Sequence, residues 1–154
     1  MKYSLAFLSL LSLAVALPAE RLHKRQYTNM TVENQLLDGT PCRAVTVIFA
    51  RGTTEQSNVG SLVGPPFFQA LANEIGASNL AVQGVDYAAD IPGFLAGGDV
   101  NGSATLASLA VRAEKQCPDT AVVLSGYSQG GQLVHNAAGN LTLAQSALIN
   151  SGML

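Results

Sequence analysis

Three short apolar runs without a charged residue restrict the fold of this 154-residue chain more than any other feature. The runs span residues 44–50 (AVTVIFA), 80–85 (LAVQGV) and 120–124 (TAVVL). Runs of this kind are typical of strands buried on both faces of a parallel sheet. Stretches with helical spacing follow them at residues 65–75, 103–116 and 131–138. Residues 87–102 are rich in Gly, Asp and Ala and predict a loop. The alternation predicts an α/β fold, in which a central parallel sheet lies between two helix layers.

The composition fits one packed domain and excludes several classes of function. Only 12% of the residues are charged and 48% are apolar, so the chain can bury a core. The formal net charge is −2 and there is no basic stripe, so we do not expect nucleic acid as a partner. Two cysteines are too few for a multi-cysteine zinc cluster, and the histidines and carboxylates lack metal-ligand spacing. We therefore expect no metal and no cofactor.

The N-terminus carries a signal for export. Lys2 precedes an apolar run over residues 5–17, and Ala14–Ala16 forms a small-residue cleavage site. This pattern predicts a signal peptide over residues 1–16. The alternative, a membrane anchor, is disfavoured because a span needs about 20 apolar residues. No second long apolar run follows, so we expect a secreted, extracellular protein without a stable membrane span.

A processing site follows the signal peptide. Residues 17–25 end in the dibasic pair Lys24-Arg25, which is typical of cleavage in a secretory pathway. The pair predicts a propeptide over residues 17–25. The mature domain would then begin at Gln26 and span residues 26–154.

Secretion allows two kinds of covalent modification, a disulfide and N-linked glycans. Because the compartment is oxidising, Cys42 and Cys117 predict a disulfide, with two free thiols as the alternative. Such a bridge would stabilise the fold by roughly 4 kcal/mol in the chain-entropy model. Asn29, Asn101 and Asn140 each begin an N-glycosylation sequon, which implies a surface position if the sequon is used.

The chemistry of the chain is concentrated in residues 126–130 (GYSQG), which match the pattern G-x-S-x-G. The motif lies between a predicted buried strand and a predicted helix. A nucleophilic serine there projects from a tight turn, and the flanking glycines let the strand and helix backbones approach each other. The helix N-terminus would direct backbone N–H groups toward a developing oxyanion. Ser128 is thus a candidate nucleophile, and the alternative is a glycine-rich turn without chemistry.

The loop after the first strand is the candidate for the other side of an oxyanion site. It reads RGTTE over residues 51–55. Thr53 offers both a backbone N–H and a hydroxyl. For Arg51 and Glu55, a charge pair that holds the loop in place is favoured over a role in the chemistry.

The combination of these segments resembles the fungal cutinase family, which includes cutinases and the related acetylxylan esterases. The segments that resemble this family are Cys42 with the strand and loop to Glu55, residues 83–87 (QGVDY), and residues 117–130 with the serine motif. The likeness runs from about Cys42 to Ile149 and implies a secreted serine esterase with an α/β-hydrolase-type sheet.

The resemblance also implies roles for individual residues. Ser128 would be the nucleophile that forms an acyl-enzyme, and Thr53 and Gln129 would form the oxyanion hole. Cys42 and Cys117 would form a disulfide. The substrate would be an ester, either a cutin-like polyester or acetylated xylan.

The sequence lacks two residues that the resemblance predicts. In the family a catalytic acid and then a histidine follow the serine, but residues 129–154 contain no charged residue. The only later histidine, His135, would lie roughly 10 Å down a helix that begins at the serine. A general base must come within about 3 Å of the serine oxygen. His23 lies in the segment that we expect to be removed. We therefore expect neither a catalytic acid nor a catalytic histidine in this chain, and a helix-surface position for His135.

The next strand of the family would begin near Asn150, but the chain stops at Leu154. This predicts a C-terminally truncated member, an incomplete domain in which the C-terminal strands are missing. We then expect Ser128 to have an unactivated hydroxyl. We also expect residues 120–124 to form an exposed apolar edge, open to aggregation or to pairing with a partner. If the chain folds, we expect a monomer.

Three functions remain open at this point. The first is a secreted cutinase-type esterase that hydrolyses cutin-like polyesters, and the second is an acetylxylan esterase. The third is a non-catalytic secreted fragment that binds a cell-wall or surface polymer. The absent acid and histidine favour the third function, whereas residues 51–55 and 126–130 favour an esterase ancestry.

Overall fold

The computed structural model describes residues 26–147 and 149–153. The predicted signal peptide and propeptide lie outside the described residues. Within these ranges the strands are β1 (Val45–Ala50), β2 (Leu80–Gly84), β3 (Ala121–Gly126) and β4 (Ile149–Met153). The α-helices are α1 (Gly64–Ile75), α2 (Ile91–Leu95), α3 (Val100–Gln116), α4 (Gln129–Asn140) and α5 (Leu143–Ser146). No helix in the described ranges is long and apolar enough to cross a membrane.

The strands form one parallel sheet in the order β2-β1-β3-β4. In the centre of the sheet, Val47 of β1 aligns with Val82 of β2 on one side and with Val123 of β3 on the other. The parallel sheet was predicted, and the three apolar runs coincide with β1, β2 and β3 to within two residues at each end. The prediction succeeds because strands covered on both faces need continuous apolar runs.

The two faces of the sheet pack against different helices. Val47 and Phe49 lie in a buried cluster with Phe68 of α1, whereas Ile48 and Ala50 lie in a second cluster with residues of α3 and α4. Successive strand residues point to opposite faces, so β1 alone contributes to both clusters. Helices therefore cover both faces, and the predicted three-layer α/β/α arrangement is confirmed.

The prediction of an exposed edge at residues 120–124 is wrong. Strand β4 pairs with β3 in parallel, with Val122 opposite Ile149 and Leu124 opposite Gly152. The prediction failed because residues 149–153 (INSGM) lack the apolar, β-branched pattern that marked the other strands. The unpaired main-chain N–H and C=O groups of β3 can form hydrogen bonds with any extended neighbour, whatever its side chains. At least this strand beyond β3 is therefore present.

The prediction of a loop over residues 87–102 is only partly right, because the segment contains α2 and the first turn of α3. Both helices begin at an aspartate cap. The Asp90 carboxylate accepts a hydrogen bond from the Gly93 N–H at 2.8 Å, and the Asp99 carboxylate accepts one from the Gly102 N–H at 2.5 Å. Such caps satisfy backbone donors that a helix leaves unpaired, so they favour helix initiation even in a glycine-rich stretch.

An N-terminal segment covers the outer edge of β2. The Gln35 N–H donates to the Val82 carbonyl at 3.1 Å, and the Gly84 N–H donates to the Glu33 carbonyl at 2.8 Å. These bonds satisfy main-chain groups of β2 that would otherwise be open to another chain.

The predicted disulfide between Cys42 and Cys117 is present, with a Cα–Cα distance of 5.5 Å. It joins the residues that lead into β1 to the end of α3. Both cysteines therefore lie on the side of the sheet where the strands begin.

Candidate active site

Ser128 lies in the two-residue turn between β3 and α4, where its side chain is exposed. Its backbone has φ 55° and ψ −117° and forms the N-cap of α4. Few residues other than glycine adopt positive φ, because the Cβ crowds the backbone there. The turn thus lifts the serine clear of the carboxyl end of the sheet. This is the sharp strand-to-helix turn that the sequence motif predicts.

The glycines that flank Ser128 are required by the close approach of two backbones. A Cβ on Gly126 would overlap the backbone of Gly130, and a Cβ on Gly130 would overlap the carbonyl of Ala50. In contrast, a Cβ on Gly131 would meet nothing within 4 Å. The predicted reason for the motif is therefore confirmed for its two defining glycines.

The backbone N–H groups of Gln129, which follows Ser128, and of Thr53, which contacts the Gln129 side chain, are available to an anionic oxygen. Gln129 is the first residue of α4, so its N–H belongs to the helical turn that has no intrahelical partner. Among the described residues, neither the Gln129 N–H nor the Thr53 N–H donates a hydrogen bond. The partial positive charge at the start of α4 favours a negative oxygen at this place.

The side chain of Gln129 connects the serine turn to the two neighbouring loops. It is fully buried, and its amide nitrogen donates to the Thr53 hydroxyl at 3.0 Å and to the Asp90 carbonyl at 2.8 Å. Because a carbonyl oxygen only accepts, the amide nitrogen must face Asp90. The same nitrogen then donates to Thr53, and the Thr53 hydroxyl keeps its own hydrogen for another acceptor. Thr53 and Gln129, predicted from the family resemblance as partners, are therefore in contact.

The loop that carries Thr53 is folded around the Glu55 carboxylate. One carboxylate oxygen accepts from the Gly52 N–H at 2.7 Å. The other accepts from the N–H groups of Ser61 and Leu62, at 3.0 and 2.9 Å. Arg51 donates from Nε to the Glu55 carbonyl at 2.7 Å. Both residues hold the loop, as predicted, but they do so through main-chain groups, so the expectation of a pair between the two charges is wrong.

His135 lies on the exposed surface of α4, as predicted. It is seven residues beyond Ser128, which corresponds to roughly 10 Å along the helix axis. It borders a shallow surface groove with Val100, Ser103 and Asn136, away from the serine turn. We assign no general base and no catalytic acid among the described residues.

An exposed apolar surface on α2 was missed by the sequence analysis. Ile91, Phe94 and Leu95 are 58%, 41% and 77% exposed, and we call them the α2 apolar surface. The helix lies against α4, since Gln132 donates to the Phe94 carbonyl at 3.3 Å. The signal that could have found it is Asp90 followed by a proline in the first turn, a typical helix start.

The three sequon asparagines, Asn29, Asn101 and Asn140, are all exposed. Their positions are compatible with glycans, and glycosylation stays a prediction. In the part of the chain that the structure describes, no group of three His, Cys, Asp or Glu side chains could hold a metal ion.

Comparisons with known proteins agree on one family. The sequence matches the family model "Cutinase" over residues 41–154. It is 52% identical over 118 residues to a cutinase of Botryotinia fuckeliana, which covers 77% of this chain and 58% of that protein. It is 50% identical over 118 residues to a cutinase of Monilinia fructicola, with the same coverage of 77% and 58%. The chain thus spans little more than half the length of these relatives.

Solved structures share the fold. A Trichoderma reesei cutinase in complex with a phosphonate inhibitor superposes with a TM-score of 0.72 at 42% identity, over 80% of this chain and 54% of that one. An acetyl xylan esterase superposes with a TM-score of 0.53 at 24% identity, over 72% of this chain and 61% of that one, which supports the fold alone. The parallel sheet with helices on both faces is accordingly of the α/β-hydrolase type. The resemblance found in the sequence is confirmed: this chain belongs to the cutinase family.

Proposed function

We propose that this protein is a secreted carboxylic ester hydrolase of the cutinase type, and that Ser128 forms an acyl-enzyme. The observation that carries the proposal is the serine turn. Ser128 stands exposed at a strained backbone position and is followed by Gln129, whose N–H has no partner among the described residues. The Gln129 side chain contacts the hydroxyl of Thr53, whose own N–H is likewise without a partner in that part of the chain. An exposed serine beside preorganised donors is the arrangement that acyl transfer requires.

The chemical step follows from these contacts. The Ser128 Oγ attacks the ester carbonyl, and its proton passes through a water molecule to the departing alcohol oxygen, because we assign no general base among the described residues. The carbonyl oxygen becomes an oxyanion that accepts from the Gln129 N–H and from the Thr53 N–H and hydroxyl. Collapse of this intermediate releases the alcohol and leaves the acyl group on Ser128, and water then releases the acid. In this step Ser128 supplies the nucleophile, and Gln129 and Thr53 supply the oxyanion donors.

The α2 apolar surface favours a polyester over acetylated xylan as the substrate. It adjoins the serine turn, because a Cβ on Gly93 of the same helix would lie 3.0 Å from the Gln129 side chain. Three exposed apolar side chains beside a reactive group suit an aliphatic chain or surface. A polysaccharide would instead call for polar partners.

The proposed export rests on the N-terminal pattern and on the disulfide. Disulfides persist mainly in oxidising compartments. Cleavage after Arg25 would leave Gln26 exposed, while Tyr27 next to it is fully buried and contacts Phe68 with its ring at 6.0 Å. Tyr27, two residues after the proposed cleavage site, is therefore part of the folded domain.

The test compares the secreted chain with its Ser128→Ala variant on p-nitrophenyl butyrate, cutin and acetylated xylan. A phosphonate ester serves as a second probe, because it phosphonylates a reactive serine and adds a defined mass to the protein. We expect hydrolysis of the butyrate ester and a phosphonate adduct on Ser128, both absent in Ser128→Ala, and a faster release of product from cutin than from xylan.

Equal rates in the two proteins, without an adduct, contradict the proposal. Binding to cutin or xylan that is unchanged by Ser128→Ala, with no hydrolysis, supports the non-catalytic alternative. Faster product release from xylan contradicts the polyester preference alone.

A further inference from the structure

Two side chains from different loops hold each other's backbone near the serine turn. Arg51 follows β1, and its Nη2 donates to the Tyr87 carbonyl at 2.8 Å. Tyr87 follows β2, and its hydroxyl donates to the Arg51 carbonyl at 2.5 Å. The Arg51 guanidinium carbon also lies 4.8 Å from the centre of the Tyr87 ring. We call this reciprocal arrangement the Arg51–Tyr87 lock.

The lock involves a buried charge, which is costly unless its donors are satisfied. Arg51 is only 7% exposed. Its Nε and Nη2 donate to two main-chain carbonyls, and the electron-rich face of the tyrosine ring lies against the guanidinium, whereas its buried Nη1 has no hydrogen-bond partner among the described residues. The planar fork of arginine reaches both carbonyls at once, which a lysine could not do. The arrangement therefore fixes two loop backbones relative to each other.

The lock precedes Thr53 in the chain, and a second hydrogen bond between loops follows it. Arg51 precedes Thr53 by two residues. Thr54, which follows Thr53, donates from its N–H to the Ala89 carbonyl at 2.7 Å. Thr54 and Ala89 have φ values of 65° and 51°, so both ends of this bond are strained. Strained backbone persists only where its surroundings hold it in place.

We propose that Arg51 and Tyr87 are positioning residues, which hold the Thr53 oxyanion donors in place before the substrate arrives. The inference rests on the proposed function of Ser128. Oxyanion stabilisation depends on donors that need not reorganise during the reaction. Thr53 lies on a loop without regular structure, so its position depends on these loop-to-loop contacts.

The Tyr87 hydroxyl of the lock does not titrate near neutral pH. Burial raises the pKa of Tyr87 to about 12, with Arg51 opposing this rise. The hydroxyl therefore keeps its proton and remains a donor to the Arg51 carbonyl. Removing the Tyr87 hydroxyl should therefore lower the rate by the same factor at every pH, without shifting the pH profile.

The test is Tyr87→Phe, which removes the hydroxyl and keeps the ring over Arg51. We expect kcat on p-nitrophenyl butyrate to fall about tenfold with KM within twofold, because the lost alignment acts in the transition state. The matched control is Tyr27→Phe. Tyr27 is also buried, its hydroxyl donates to Gln35 at 3.4 Å, and it packs on the opposite face of the sheet. This control should leave kcat unchanged.

A second readout does not need activity. Hydrogen exchange of the Thr54 amide, which donates to Ala89, should be about tenfold faster in Tyr87→Phe and unchanged in Tyr27→Phe. If the wild-type chain shows no Ser128-dependent turnover, the proposed function fails, while faster exchange still supports the lock. Unchanged exchange overturns the lock. Faster exchange with an unchanged kcat in an active protein overturns the positioning role, as does a rise in KM alone.

Discussion

At the scale of single residues, Ser128 combines an exposed hydroxyl with an unfavourable backbone. A φ of 55° with ψ of −117° is a conformation that glycine adopts freely and that costs other residues about 1–3 kcal/mol. This unfavourable conformation occurs at the residue whose side chain is proposed to react. Strain at this position is evidence that the surrounding packing holds the turn in place.

The strain can be measured by comparing Ser128→Gly with Ser128→Ala. Both variants lack the hydroxyl, but only glycine relieves the positive φ. After allowance for the greater unfolded-state entropy of glycine, we expect Ser128→Gly to be more stable than Ser128→Ala by about 1 kcal/mol. Urea unfolding followed by circular dichroism gives the difference. Equal stability, or a more stable alanine variant, would show that the turn is not strained.

At the scale of secondary-structure elements, the serine turn depends on how closely α4 approaches the sheet. Helix α4 starts three residues after β3 ends, and its first turn passes against the end of β1. Gly130 lies so near the Ala50 carbonyl that a Cβ would come within 2.6 Å of the carbonyl carbon. The atoms concerned are backbone atoms, which cannot move aside as a side chain can. The helix would have to shift, and Ser128 with it.

This close approach predicts opposite effects for two adjacent glycines. We expect Gly130→Ala to destabilise the fold by about 3 kcal/mol, because the added methyl overlaps the β1 backbone. Gly131 faces open space, so Gly131→Ala should stabilise the fold by up to about 1 kcal/mol through helix propensity. Thermal unfolding of the two variants provides the measurement. A loss of similar size in both would contradict the close approach as the cause.

At the scale of the whole molecule, the disulfide and the candidate site occupy opposite ends of the parallel sheet. Cys42 precedes β1 and Cys117 precedes β3, whereas Thr53 and Ser128 follow the same two strands. The bridge closes a sequence separation of 75 residues at one end. The other end, where the strands finish, is left free for the chemistry. Stability and reactivity therefore depend on separate parts of the fold.

We expect the double variant Cys42→Ala, Cys117→Ala to lose about 4 kcal/mol of stability, the value for closing a loop of this length. Its Ser128-dependent rate should match that of the wild type at temperatures where both proteins are folded. Reduced wild-type protein is the matched control and should unfold at the same denaturant concentration as the double variant. A rate loss in folded double variant would mean that the bridge also shapes the site.

Much of the fold could be predicted because its signals are local. A strand buried on both faces needs a continuous apolar run, so residues 44–50 and 120–124 predicted β1 and β3 closely. The motif at residues 126–130 predicted a tight turn, since only glycine fits where two backbones touch. Helix α2 carried a local signal as well, in Asp90 and the proline that follows, but the glycine-rich composition masked it.

The sequence by itself determined the class of sheet, the serine turn and the cysteine pair, because each depends on residue types within a short stretch. Only the tertiary structure decided that β4 covers the edge of β3, since a parallel ladder is made of main-chain groups that every sequence has. The same holds for the candidate site. Gln129 meets Thr53 across 76 residues of sequence, and Arg51 meets Tyr87 across 36. Such contacts depend on which strand ends meet at one edge of the sheet. A local sequence pattern does not predict this arrangement.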